Sequence, residues 1–224
     1  MTQRSDHAPD LRGPSLAPAS EGPARQLVVL LHGVGADGSD LIQLGAELRR
    51  FLPHAAFLAP DAPEPCDMAP YGRQWFSLRD RRDEAMTAGA ERTVPLVDAW
   101  IDRQLAERGL PASALALMGF SQGTMMALKL ALRRPEPVAA VVGFSGLLLD
   151  PGGLAARIRS RPPVLLIHGE LDDVVPFGCL AAAGDALRAG GVPVETVARP
   201  GLAHGIDPEG LMRAARFLAD RLGA

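Results

Sequence analysis

Ser121 stands in Gly119-Phe120-Ser121-Gln122-Gly123, a G-x-S-x-G arrangement that suits a nucleophilic hydroxyl on a tight turn. In a chain with 24 glycines the pattern alone says little. Its setting says more. It follows the apolar run Ala114 to Met118 and opens a helix-like segment reaching Arg134. A serine on a sharp strand-to-helix turn exposes its hydroxyl, and glycines two residues away on each side leave room for the turn. The helix N-terminus behind it offers N–H groups and a positive dipole end to developing negative charge. The competing reading is a buried turn serine. Ser145, in Gly143-Phe144-Ser145-Gly146, also ends a strand candidate, but Leu147 replaces the second glycine and no helix follows directly. Ser145 is therefore expected to be structural.

A serine nucleophile needs a base, an orienting acid and donors for the oxyanion. Five histidines are available. His7 lies in the N-terminal stretch, and His54 precedes a strand, the wrong edge of a parallel sheet for a site. His32, His168 and His204 follow strands. His204, in Gly201-Leu202-Ala203-His204-Gly205, comes after the last strand and completes the order serine, acid, histidine. His32 is expected to organise its loop, and His168 to pack at the end of its strand. The acid should lie after the penultimate strand, where Glu170, Asp172 and Asp173 all qualify. Asp172 and Asp173 point to opposite sides of an extended segment, so at most one reaches His204. His32-Gly33-Val34-Gly35 ends the first apolar strand, and its glycines permit N–H groups to face an oxyanion. The first donor is placed on Val34 N–H and the second on Gln122 N–H.

The elements that must hold these residues are legible as alternation. Strand candidates are Gln26 to Leu31, Ala55 to Leu58, Ala114 to Met118, Val138 to Phe144, Val164 to Ile167 and Val192 to Ala198. Most are continuous apolar runs, the pattern of strands buried on both faces. Helix candidates are Asp40 to Phe51, Thr93 to Arg108, Gln122 to Arg134, Gly178 to Ala189 and Asp207 to Leu222. Pro95 is expected in the first turn of the second helix, Gly109 at its C-cap, and Asp207-Pro208 at the start of the last. Alternating strands and helices call for a mostly parallel sheet covered on both faces. The connection from Ala59 to Arg92 is long for a compact domain. It carries Pro60, Pro63, Pro65 and Pro70, then Tyr71, Trp75 and Phe76. It is the one candidate cover for the site, with Trp75 and Phe76 as contacts for an acyl chain; equally, these aromatics could plug core beneath the loop.

Composition sets the remaining bounds. The chain has 224 residues, 47% of them apolar, and a formal net charge of −3. One domain of residues 25–224 is expected, preceded by an arm of residues 1–24 that is extended or flexible. No dense Lys/Arg block occurs, which argues against nucleic acid and anionic membranes as partners. No apolar run approaches the ~18 residues of a membrane span, and the first residues lack the apolar stretch of a secretory signal. The two cysteines, Cys66 and Cys179, fit neither a disulfide framework nor a metal site. Free thiols in a cytoplasmic protein are expected.

Five motifs in order carry a family resemblance. They are Leu31-His32-Gly33-Val34-Gly35-Ala36-Asp37-Gly38, Gln74-Trp75-Phe76, Gly119-Phe120-Ser121-Gln122-Gly123, His168-Gly169-x-x-Asp172-x-x-Val175-Pro176 and Gly201-x-x-His204. Together they closely resemble the phospholipase/carboxylesterase family, which includes acyl-protein thioesterases, over about residues 25 to 222. The resemblance implies an α/β-hydrolase fold without a separate cap domain. It also places the triad acid at Asp172. The family commonly carries Leu or Tyr where this chain has Val34; since a backbone N–H does the work there, the difference touches substrate fit rather than catalysis.

The expected reaction is hydrolysis of a carboxylic ester, with short to medium acyl chains, through an acyl-enzyme on Ser121. A thioester, a lysophospholipid or an acyl-protein is the alternative substrate. No metal or organic cofactor is implied. An amide-cleaving or acyl-transferring enzyme could use the same triad. A non-catalytic binding protein on this scaffold is disfavoured because no triad member is missing. Oligomeric state stays open, a homodimer being one option.

Overall fold

The computed structural model describes residues 11–223. His7 and the first part of the expected N-terminal arm lie outside them. The described chain begins with β1 (Ser15–Leu16) and β2 (Gln26–Leu31), then α1 (Gly38–Leu48) and β3 (Ala55–Leu58). A small hairpin comes next, β4 (Glu64–Pro65) with β5 (Arg73–Gln74), and then the long α2 (Asp83–Arg108). The middle of the chain holds β6 (Leu115–Phe120), α3 (Gln122–Arg133), β7 (Ala140–Phe144), α4 (Leu154–Arg157) and β8 (Val164–Gly169). The chain ends with α5 (Gly178–Ala189), β9 (Val194–Arg199) and α6 (Pro208–Leu222).

Among the described residues, seven strands form one sheet in the order β1-β3-β2-β6-β7-β8-β9. All neighbours run parallel except β1, which pairs antiparallel with β3 through Ser15–Leu58 and Leu16–Phe57. Along β2 the side chains divide strictly between two cores. Leu27, Val29 and Leu31 face the side covered by α2, α3 and α5, while Val28 and Leu30 face α1 and α6. Every residue of β2, β6 up to Gly119, β7 and β8 is buried, which explains their unbroken apolar runs. The far edge differs. β9 is only partly buried and exposes Glu195, Thr196 and Ala198 to solvent.

The order reverses at β2. From it the chain moves outward to β3, then returns through α2 to β6 on β2's other side. Loops leaving the carboxyl ends of β2 and β6 therefore diverge to opposite faces, which is the usual position for a site in such sheets.

Two expectations need correction. α2 starts at Asp83, so Pro95 lies inside the helix and not in its first turn. A buried stripe of Met86, Ala90, Val94, Val97, Ile101 and Leu105 runs through it at helical spacing. Pro95 itself is exposed. An interior proline costs about 3 kcal/mol through its missing N–H and ring clash, and burial of the stripe offsets that. The early start of α2 also shortens the irregular connection, which becomes a compact loop braced by the β4–β5 hairpin. Gly109 is the C-cap, with φ 63°, and Asp207 caps α6 by accepting from Gly210 N–H at 2.9 Å. Among the described residues no helix is long and apolar enough to cross a membrane.

Candidate active site

Ser121 joins β6 to α3 with φ 52° and ψ −117°, a conformation that disfavours side chains and costs about 1–3 kcal/mol. The turn is this tight because backbones touch. A Cβ on Gly123 would collide with the Leu31 carbonyl, and one on Gly119 with the backbone of Gly123. The strained serine is held by its N–H, which donates to the Phe144 carbonyl at 2.9 Å. Its hydroxyl makes no capping bond to α3 and stays free for chemistry. The first turn of α3 carries no acidic residue to neutralise its dipole.

His204 and Asp172 meet at this edge. His204 Nδ1 lies 2.8 Å from Asp172 Oδ2. With Nδ1 facing the carboxylate, Nε2 is directed away from it. The Phe120 ring packs on His204, with centroids 4.8 Å apart, which sets the imidazole beside the serine turn. Asp172 Oδ1 accepts from Val174 N–H at 3.0 Å and Val175 N–H at 2.8 Å. Burial pushes the Asp172 carboxyl up, but the bonds from His204, Val175 and Val174 outweigh it and hold the group below its ordinary value. Glu170 and Asp173, the other two carboxylates of the loop, are exposed. His168 is buried at the end of β8, with Nε2 2.9 Å from the Val175 carbonyl and 3.2 Å from Asp172 Oδ2. His54 sits apart, against the Ser20 hydroxyl at 2.8 Å.

The loop after β2 lies against the serine turn, since a Cβ on Gly33 would come 3.4 Å from Ser121 Cβ. Among the described residues, the N–H groups of Val34 and Gln122 meet no backbone acceptor. His32 organises this loop: Nδ1–H donates to the Gly33 carbonyl at 2.7 Å and Nε2 accepts from Ala62 N–H at 3.0 Å. Burial lowers its pKa, with the Gly33 bond opposing, so the ring stays neutral.

Trp75 and Phe76 do not line a groove. They are 0% and 1% exposed and lie in the core beneath the loop, which corrects their expected role as acyl contacts. Both are large apolar side chains, and the Trp75 indole N–H is satisfied inside by the His32 carbonyl at 2.8 Å. Two residues that hold this region, Arg73 and the side chain of Gln122, are not evident from sequence. The one available signal is a long polar amide at the start of a helix whose residues are nearly all buried. Among the described residues no cluster of His, Cys, Asp and Glu is placed to hold a metal.

A strained serine turn at the carboxyl edge of a parallel sheet, where the strand order switches and helices cover both faces, is the architecture of the α/β-hydrolases. Sequence similarity narrows that class. Residues 17–222 match the Phospholipase/Carboxylesterase family, and the chain belongs to it. It is 30% identical to "Esterase YpfH" of Escherichia coli K12 over 89% of this chain and 83% of that protein. It is 28% identical to "Acyl-protein thioesterase 1 homolog 1" of Dictyostelium discoideum over 87% of this chain and 90% of that one. The crystal structure of esterase PE8 superposes with a TM-score of 0.91 at 46% identity, covering 95% of this chain and 100% of that one. The protein is a carboxylic ester hydrolase.

Proposed function

We propose that hydrolysis runs through a Ser121–His204–Asp172 triad on esters with short to medium acyl chains. The observation that carries this reading is the 2.8 Å Asp172–His204 pair standing beside the strained, uncapped Ser121. His204 Nε2 takes the proton as Ser121 Oγ bonds to the carbonyl carbon. The carbonyl oxygen gains negative charge and is met by Val34 and Gln122 N–H, each donor contributing about 3 kcal/mol. The tetrahedral intermediate collapses, the bond to the leaving oxygen breaks, and protonated His204 supplies that oxygen's proton. Water then repeats the sequence on the acyl-enzyme and frees the acid. Asp172, ionised and fixed by two backbone N–H groups, holds the ring in one tautomer and stabilises its charged form.

Acyl thioesters are the second reading, favoured by the name of the Dictyostelium relative. A series of p-nitrophenyl esters of increasing chain length, run against matching acyl thioesters, separates the two. Highest kcat/KM on esters of up to about eight carbons is expected, with activity lost in Ser121→Ala. Thioesters turning over more than ten-fold better would make the second reading the correct one. A cytoplasmic location is part of this proposal and is supported by Cys66 and Cys179, both free thiols.

A further inference from the structure

Among the described residues, the Gln122 backbone N–H meets no backbone acceptor, while the Gln122 side chain is committed elsewhere. Its amide behaves as a spare peptide group. Oε1 accepts from Trp75 N–H at 2.9 Å, and Nε2 donates to the Phe76 carbonyl at 2.7 Å. From there the 72–76 segment reaches back to the loop after β2. Trp75 Nε1 donates to the His32 carbonyl at 2.8 Å. Arg73 exchanges backbone bonds with the same loop: Gly35 N–H donates to the Arg73 carbonyl at 2.8 Å, and Arg73 N–H donates to the Ala36 carbonyl at 2.8 Å. Gly72, at φ 78°, lies so close that a Cβ there would collide with the Gly35 carbonyl.

Val34 is thus bracketed. The residues two before it and one after it are bonded to the 72–76 segment, and that segment is bonded to Gln122. The segment has its own anchors. Thr93 Oγ1 donates to the Trp75 carbonyl at 2.6 Å, and the Arg73 guanidinium donates to the carbonyls of Ala62 at 2.7 Å and Pro63 at 2.9 Å. A chain of hydrogen bonds therefore runs from the neighbours of one N–H to the residue that bears the other.

We propose that residues 72–76 form a strap that sets the separation of the Val34 and Gln122 N–H groups, with the Gln122 side chain and the Trp75 indole as positioning residues. The proposal rests on the reading above that these two N–H groups receive the oxyanion. Its physical force is geometric, since a misplacement of about 1 Å in a catalytic constellation costs about 10²-fold in rate. Trp75 is linked to the loop after β2 by its indole N–H, a bond that phenylalanine removes while keeping an aromatic ring in the core.

Three variants test the strap against the active wild type. Trp75→Phe keeps an aromatic ring but removes the bond to His32. Gln122→Met keeps length but removes both bonds. Gln122→Glu keeps the acceptor and, when its buried carboxyl is protonated, donates to Phe76 as the amide does. The first two should lower kcat about 10- to 100-fold with KM within two-fold, in protein that still melts cooperatively. Gln122→Glu should be rescued at low and neutral pH and lose kcat along a new alkaline limb absent from wild type. The Val34 and Gln122 amide NMR resonances should shift in Trp75→Phe, whatever the activity. Unchanged kcat in folded Trp75→Phe and Gln122→Met, a loss confined to KM, or unmoved amide resonances would overturn the strap. A wild type that hydrolyses no ester would instead sink the oxyanion reading, while the resonances still report on the strap.

Discussion

Two neighbouring strand ends carry the same three residues and do different things. Gly119-Phe120-Ser121 ends β6, and Gly143-Phe144-Ser145 ends β7 beside it, with Gly119 opposite Gly143 and Phe120 opposite Phe144. Both serines have positive φ, 52° and 47°, and both donate their N–H to the next strand, at 2.9 Å. The difference lies in the segment after each serine. Ser121 leads straight into the 12 residues of α3, so free N–H groups stand at its back. Ser145 leads into a loop, is 1% exposed, and has its hydroxyl 3.5 Å from the Gly205 carbonyl. Phe120 reaches out to His204, whereas Phe144 is sealed in the core. Backbone strain is thus common to both turns, whereas a helix N-terminus directly behind the serine and an uncommitted hydroxyl near the Asp172–His204 pair belong to Ser121.

The widest gap between the two turns should appear on removing the hydroxyls. Ser121→Ala should lower kcat about 10⁴-fold or more and abolish fluorophosphonate labelling. Ser145→Ala should stay within a few-fold of wild type. Labelling that persists in Ser121→Ala and vanishes in Ser145→Ala would invert the comparison. Next comes Asp172, the carboxylate paired with His204. Asp172→Asn should cost about 10⁴-fold in kcat, because Asn no longer fixes the His204 tautomer, and Asp173→Asn should be near normal. Steady-state kinetics decide between them, and collapse in Asp173→Asn would reassign the acid.

Smaller effects should come from the glycine that one turn has and the other lacks. Gly123→Ala drives a Cβ into the Leu31 carbonyl and should destabilise by about 1–3 kcal/mol in urea melts, with a fall in kcat. At the matching position Leu147→Gly should leave kcat within about two-fold. The smallest effect concerns the end of β2, which faces Ser121 and not Ser145. His32 is buried neutral, so its pKa is lower in the folded chain than its ordinary 6.5. The unfolded chain binds the proton first as pH falls. The His32 contribution to stability is therefore full above 6.5 and declines as pH falls below it. The urea midpoint should drop modestly from pH 7.5 to 5.5, and His32→Asn should flatten that drop. An equal slope in the variant would remove His32 as its source.

Strands buried on both faces are the most legible part of the fold. Gln26–Leu31, Ala55–Leu58 and the helix Gly178–Ala189 occur with the bounds their residues suggest, because unbroken apolar runs and punctuating glycines act locally. The start of α2 is hidden because a proline usually opens a helix, and only tertiary burial of Met86 and Ala90 carries the helix through Pro95. The two-residue strands β1, β4 and β5 have no periodicity to read. At the site, the close approaches that demand glycine give the serine turn and the β2 loop away. Among the three carboxylates, residue chemistry leaves a tie; the geometry brings Asp172 to His204 at 2.8 Å. The Gln122 side chain is silent because its partners, Trp75 and Phe76, lie 47 and 46 residues away. Those aromatics read equally as lining or filler, and burial decides for filler.

The two margins of the sheet also bear on how crowded solutions of this protein behave. A parallel sheet that stops in mid-air offers unpaired backbone groups to any extended chain nearby. One margin is closed by β1, only two residues long, which gives an intruder almost nothing to zip onto. The other is left open along β9, where Glu195 pairs with Arg213 at 3.3 Å and Arg199 with Asp207 at 2.8 Å. A strand adding to that side would have to bring its own backbone alongside these fixed charges. Among the described residues, each margin of the sheet thus carries a feature that opposes the addition of a further strand.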